Sequence, residues 1–143
     1  MPKFYEIHDS LLESIEQDGE CVAIRLRAVR REIANDGKTP SSHLRQEIRL
    51  VLDGAEMTVD SSSLPSWLME GTFRCVSSDA DEADTGAEGT LPVSLRSARG
   101  VELGMSGLHE GSGDFVTIRV QANSLTLEAL AEPQPLLYTR AYI

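Results

Sequence analysis

The feature that most constrains this chain is a hydrophobic period of two that runs almost its whole length. In the stretch from Glu20 to Ile33 the even positions Val22, Ile24, Leu26 and Ala28 are apolar, and the odd ones include Arg25, Arg27 and Arg31. His43–Leu52 repeats the pattern, with Leu44, Ile48, Leu50 and Leu52 on one face and His43, Arg45, Glu47 and Arg49 on the other. Side chains alternate sides along a strand, so this pattern makes half-buried strands and rules out the i, i+3, i+4 stripe of an amphipathic helix. Asp18-Gly19 and Asp53-Gly54 carry residues that tolerate positive φ, and each is read as a hairpin turn. The segment 35–42 is turn chemistry throughout. Further strands are expected at Thr72–Ser77, Leu91–Arg96, Val101–Met105, Asp114–Gln121 and Leu125–Ala131, and the tail 136–143 can add an edge strand.

Eight to ten short strands without helical crossovers predict an all-β fold, an antiparallel β-sandwich or jelly-roll-like barrel. The pattern breaks at 61–69, where serines precede Pro65 and an apolar cluster, and one short helical turn is expected near 64–69. Trp67, the lone tryptophan, is assigned there to the core. Residues 78–90 hold Asp79, Asp81, Glu82, Asp84 and Glu88 with no base, which predicts a mobile acidic loop. At 143 residues the chain fits one domain, 1–143.

A net charge of −10 disfavours contact with phosphate backbones and anionic membranes, so neither a nucleic acid nor a membrane is an expected partner. No apolar leader opens the sequence and no run is long enough to span a bilayer, from which a cytoplasmic chain is expected. Cys21 and Cys75 stand in strand-like runs with no metal-ligand spacing, and their proximity is left open. Asp79-x-Asp81 starts like a calcium loop, but Asp84 stands where the turn requires glycine and Thr90 where a glutamate should close it. No metal site and no cofactor are expected.

Charge is segregated within the chain. The window from Arg25 to Arg49 holds seven of the thirteen basic residues against three acids, a local net charge of +4. If its two strands pair, Arg25, Arg27, Arg45 and Arg49 share one outer surface with Glu47 and His43. These six residues are the candidate binding site, suited to an acidic protein surface, a carboxylate or a phosphate. The competing reading is an open sheet face neutralised by acids of neighbouring strands such as Glu13, Glu56 and Asp60. His8-Asp9-Ser10 contains the residue types of a catalytic triad, but neighbours on a regular strand point to opposite faces and cannot form a relay. No catalytic residue is assigned.

The opening Phe4–Leu12 with its His8-Asp9-Ser10, then Ile15–Gly19 and the alternating Val22–Leu26, resembles small bacterial all-β proteins that begin with a His-Asp-Ser or His-Asp-Ala strand. Some of these are similar to immunity proteins that neutralise toxins. The resemblance covers about the first thirty residues; it implies a domain acting by binding, with His8 and Asp9 as structural markers. The function expected is therefore a non-catalytic binding or protein-interaction domain with a protein partner. The alternatives are a ligand-binding or enzymatic barrel with a site assembled from distant residues, and a structural protein that oligomerises through edge strands.

Overall fold

A computed structural model describes residues 3–33, 42–60, 64–81, 88–109 and 111–136. Among these described residues ten strands follow in chain order: β1 Lys3–Asp18, β2 Cys21–Glu32, β3 Ser42–Asp53, β4 Glu56–Asp60, β5 Ser66–Arg74, β6 Ser77–Ser78, β7 Thr90–Pro92, β8 Ser97–His109, β9 Phe115–Ala129 and β10 Gln134–Pro135. Every pairing is antiparallel. The order β3-β2-β1-β5-β8-β9 closes on itself because β9 also pairs β3, giving a six-stranded barrel. Closure removes the open edges a sandwich would leave, which settles the choice between the two architectures expected from the alternation.

The barrel interior is the apolar half of that alternation. Val22, Ile24, Leu26 and Ala28 of β2 face inward beside Ile48, Leu50 and Leu52 of β3, and Leu12, Leu68, Leu103, Ile118 and Leu127 complete the ring. Each of these leucines and isoleucines is worth about 1.5–3 kcal/mol of transfer free energy. The close packing of strands also explains glycines at inward positions. A Cβ on Gly107 of β8 would stand 2.1 Å from the Trp67 carbonyl oxygen of β5.

Two expectations fail for identifiable reasons. Residues 64–69 form no helical turn: Ser66–Met69 begin β5, held by Leu11 and Leu12 on one side and by His109, Leu108 and Gly107 on the other. The apolar cluster is again a period of two, with Ser66 and Leu68 buried and Trp67 and Met69 outward, and the serines 61–63 lie outside the described residues. Nor does Asp53-Gly54 close a hairpin. β3 and β4 do not pair with each other; both run antiparallel to β9 in one continuous register, Asp53↔Ser124 before the break and Glu56↔Gln121 after it. Gly54 takes φ 62° to bend a continuing strand, and a side chain there would strike Asn123 opposite.

That bend spans three strands. Gly54, Asn123 and Gly100 lie side by side across β3–β4, β9 and β8, and Gly100 also has φ 61°. Inward positions change parity at this level, from Leu52 to Ala55 and from Leu125 to Ala122. The barrel turns a corner here, as glycines with positive φ permit. The expected break at Asn123-Ser124 is accordingly a corner within β9, not a turn between strands. The segment 35–42 falls almost wholly outside the described residues, and 137–143 of the tail do so entirely; β10 just before it adds a short edge rung to β3.

Of the acidic stretch 78–90, residues 82–87 lie outside the described residues. Its start is anchored: the Asp79 carboxylate accepts hydrogen bonds from the backbone N–H groups of Arg96 and Ser97 at 2.9 and 3.0 Å, and from the Ser97 hydroxyl. Those donors, Ser97 first, hold the Asp79 carboxyl below its ordinary range. A depressed carboxylate stabilises the fold above its unfolded pKa and loses that contribution as pH falls through the folded value. Asp79→Asn should therefore flatten the decline of the urea midpoint below about pH 4, the unfolded aspartate range, relative to the parent chain. Parallel curves would remove Asp79 as a cause of the acid sensitivity.

Candidate functional site

β2 and β3 pair in full register, so the outward residues meet as rows: Arg25 opposite Arg49, Arg27 opposite Glu47, Val29 opposite Arg45 and Arg31 opposite His43. The structure thus brings all six sequence-selected residues onto one outer wall. Two arginines directly opposed repel, and the wall resolves this by interleaving carboxylates. Arg25 Nη2 lies 2.8 Å from Glu47 Oε2 and its Nε 3.2 Å from Glu13 Oε2. Arg27 reaches the same two acids, at 3.2 Å from Glu13 and 3.9 Å from Glu47. Arg49 turns away to Glu128 of β9. Hydrogen bonding from Arg25 holds the Glu47 carboxyl below the usual range, reinforced by the nearby charges of Arg27 and Arg45.

Glu13 was named from sequence as a neutralising acid, and it is one. Glu56 and Asp60 are not, because among the described residues β4 pairs with β9 alone. Glu128 was missed, since no sequence signal revealed that β9 closes the barrel against β3. The wall is consequently a ladder of alternating charge and not a uniformly basic patch. Its exception lies at the β3 end, where exposed Arg45 makes no ion pair among the described residues and exposed His43 has none either.

Below the ladder β1 bulges. From Glu6 to Leu11 it advances five residues while β2 advances only from Val29 to Arg27. His8-Asp9-Ser10 form the bulge, and Asp9 sits at φ 66°. The expectation that these neighbours cannot meet assumed a regular strand; the bulge breaks the alternation and brings His8 Nδ1 to 3.0 Å from Asp9 Oδ2. His8 Nε2 lies 3.8 Å from Glu6, whose other oxygen binds Arg31 at 3.1 Å. Ser10 completes no relay, because it is fully buried with its hydroxyl donating to the Glu6 carbonyl and accepting from the Val29 N–H.

One end of the barrel is closed by a polar cluster that the sequence did not disclose. Tyr5 Oη donates to Gln46 Oε1 at 2.8 Å, Arg30 Nη1 donates to the same oxygen at 3.0 Å, and Gln46 Nε2 donates to the Ala131 carbonyl at 2.8 Å. Arg30 is paired in turn with Glu32 at 3.1 Å. Burial raises the Tyr5 phenol above its ordinary pKa, so it remains a neutral donor. These groups satisfy one another and clip the chain after β9 across the opening. Arg30 and Gln46 occupy the inward side of otherwise apolar strands, where a single polar residue is a weak cue.

Open grooves mark the outside, two of them among the described residues. One, of about 400 Å³, lies over the corner between Gly54, Glu56, Gly100, Glu102, Gln121 and Asn123. The other, of about 240 Å³, lies over β5, β8 and β9 and includes Glu70, Thr72, Arg74 and Arg119. Cys21 and Cys75 are both free thiols. Burial, with Asp53 and Asp18 nearby, raises the Cys21 thiol and disfavours the nucleophilic thiolate. Among the described residues no cluster of His, Cys, Asp and Glu has the arrangement of a metal site, and no helix is long and apolar enough to cross a membrane. No protein-family model matches the chain, and neither a curated protein nor a solved structure shows significant similarity to it.

Proposed function

We propose that this chain is a non-catalytic interaction domain that recognises a protein partner through the outer wall of β1, β2 and β3. The observation that carries the reading is the ladder itself: on a chain of net charge −10, five arginines are concentrated on one wall, and Arg45 at its end makes no ion pair among the described residues. The barrel axis is filled by Leu12, Ile24, Leu26, Leu50 and Ile118, so recognition on the outside is the simpler reading. Arginine suits this work because its planar fork pairs carboxylates bidentately and exchanges one carboxylate for another at little cost in geometry. A partner presenting an acidic group to Arg45 and His43 would extend the ladder by one rung. An immunity-like inhibitor is one form such a domain takes.

The test is affinity capture by the parent chain and by an Arg25/Arg27/Arg45/Arg49→Ala variant, with the single Arg45→Ala alongside as a change that breaks no ion pair of the described fold. A specific protein retained by the parent, lost by both variants and released by salt is the expected result. Capture by all three chains would discard the arginine wall. Capture of nothing would move the weight to the second reading, a small ligand in the corner groove. That groove offers Glu56, Glu102, Gln121 and Asn123 around two bare glycine backbones, a polar lining fit for a hydroxylated or amine ligand.

A further inference from the structure

On the outer face of β5, β8 and β9 the register sets Thr72 opposite Gly104 and Gly104 opposite Arg119. The row Glu70–Ser106–Thr117 lies to one side of these and Arg74–Glu102–Gln121 to the other. Leu103, Met105, Ile118 and Val120 between the rows are buried, so the rows themselves face outward. The groove of about 240 Å³ runs over Gly104, with Arg119 beside it, Arg74 towards one end and Glu70 towards the other. Both arginines are exposed, and neither makes an ion pair or a side-chain hydrogen bond among the described residues. Arg25, Arg27, Arg30, Arg31 and Arg49 are by contrast all held by carboxylates. Even Glu102, directly opposite Arg74, leaves it unpaired and lines the corner groove instead. Gly104 is the second mark of a site. A glycine weakens a strand unless something approaches its backbone closely, and this one has no positive φ to justify it. Gly107 is required by the backbone of β5, but the one atom near a Cβ on Gly104 is the Thr72 Oγ1 at 2.7 Å, which a rotamer change moves away. The fold does not ask for glycine here, and its bare backbone leaves the floor of the groove open to a ligand.

We infer that this groove binds a small zwitterion, an α-amino acid, with its carboxylate between Arg74 and Arg119 and its ammonium on Glu70. Charge selects that class. Two unpaired guanidiniums suit an oxyanion, which each can engage through a planar fork of donors. The surrounding outer face nevertheless carries Glu56, Asp60, Glu70 and Glu102 against these two arginines, on a chain of net charge −10. A dianion such as phosphate is repelled there, whereas a ligand with no net charge is not. Glu70 and Arg74 stand four residues apart on β5, roughly 13 Å at the usual rise, so their side chains border a space of small-molecule size. Thr72, Ser106 and Thr117 add hydroxyls that donate to the carboxylate or accept from the ammonium. The inference goes beyond the arginine-wall reading and is independent of it, since the groove lies on other strands and shares no residue with that wall.

Titration of the full chain with L-alanine, acetate and inorganic phosphate at constant ionic strength tests it, followed through the backbone amide resonances of Thr72, Gly104 and Arg119. L-alanine is expected to saturate these shifts with a Kd of about 1–10 mM, the affinity of a few exposed charged contacts. Acetate, which lacks the ammonium, should bind at least about tenfold more weakly, the scale of one charge-assisted hydrogen bond. Arg74→Gln and Arg119→Gln change exposed, unpaired side chains and should each weaken L-alanine by a similar factor. Glu70→Gln should lower L-alanine to the level of acetate and leave acetate itself unchanged. Gly104→Ala should weaken binding by raising the floor of the groove, without lowering the urea midpoint. Shifts that stay linear up to about 100 mM L-alanine, far above the expected Kd, overturn the inference. So does phosphate binding tighter than L-alanine, or an L-alanine affinity that Arg119→Gln or Glu70→Gln leaves unchanged. A urea midpoint lowered by Gly104→Ala overturns it too, because the glycine would then serve the fold.

Discussion

Gly107→Ala is expected to cost about 3 kcal/mol or more of unfolding free energy, the upper end of what overpacking does. The position is inward on β8, directly opposite Leu68, and its missing Cβ lets β5 and β8 approach. An added methyl would sit 2.1 Å from the Trp67 carbonyl oxygen and 2.9 Å from the Leu68 Cα, both backbone atoms. A clash with the end of a flexible side chain is relieved by a rotamer change; this one requires a strand to move. On its other side β5 is tied to β1 by two aligned pairs, at Leu11 and Leu12, so a shift of β5 away from Gly107 acts directly on that short junction. The substitution therefore strains the barrel at its thinnest closure. Gly19→Ala is the control: no atom lies within 4 Å of its Cβ, and only the φ of 62° opposes the change. It should cost about 1 kcal/mol, the penalty of left-handed backbone for a residue with a side chain. Urea titrations of both variants at constant slope give the comparison. A Gly107→Ala loss no larger than that of Gly19→Ala would mean β5 and β8 are not in backbone contact.

The same glycine shows what the sequence carries and what it withholds. Alternation at Val22–Ala28 and Leu44–Leu52 specified strands, their buried faces and even the side on which the arginines emerge, because burial on one face leaves a signature of period two. Closure left none. β9 meets β3 through Leu125, Leu127 and Ala129, residues that would face a core equally well in a sandwich. That contact alone decides that Arg49 finds Glu128 and that Glu56 and Asp60 stand away from the ladder. Gly54 misled for a related reason. A glycine at positive φ serves a hairpin and a corner equally, and only the partner strand distinguishes them: Asn123 packs against Gly54 where a hairpin would have folded β4 back on β3. Trp67 was assigned to the core by its apolar neighbours Leu64, Leu68 and Met69. In a strand those neighbours divide between two faces, and Trp67 falls on the outer one. The outward residues thus divide into a set that alternation exposed, the arginines, and a set that only register could assemble, Trp67 beside Leu11 and Leu108.

Ser10→Ala is expected to cost about 2–4 kcal/mol, more than its size suggests, because the lost hydroxyl strands two backbone groups. Where β1 bulges, the ladder between Glu6↔Val29 and Leu11↔Arg27 is broken, and the Ser10 hydroxyl replaces it by accepting from the Val29 N–H at 3.1 Å and donating to the Glu6 carbonyl. Ser10 is fully buried and Val29 only 6% exposed, so water cannot take over either role without opening the strand pair. Each buried group left without a partner costs about 1–3 kcal/mol. Asp9→Gly separates the hydroxyl from the backbone shape. It removes the Cβ from a residue at φ 66° but raises the entropy of the unfolded chain, and the two effects should cancel to within about 0.5 kcal/mol. Equilibrium unfolding of the two variants should therefore diverge, with Ser10→Ala strongly destabilised and Asp9→Gly close to the parent. Equal losses would mean that the bulge is held by the His8–Asp9 contact instead of the buried serine. The divergence would assign His8-Asp9-Ser10 to architecture: it sets the offset of β1 on β2, which carries Glu6 to Arg31 below the bulge and Glu13 to Arg25 and Arg27 above it. What the opening strand specifies is where the acids meet the arginines.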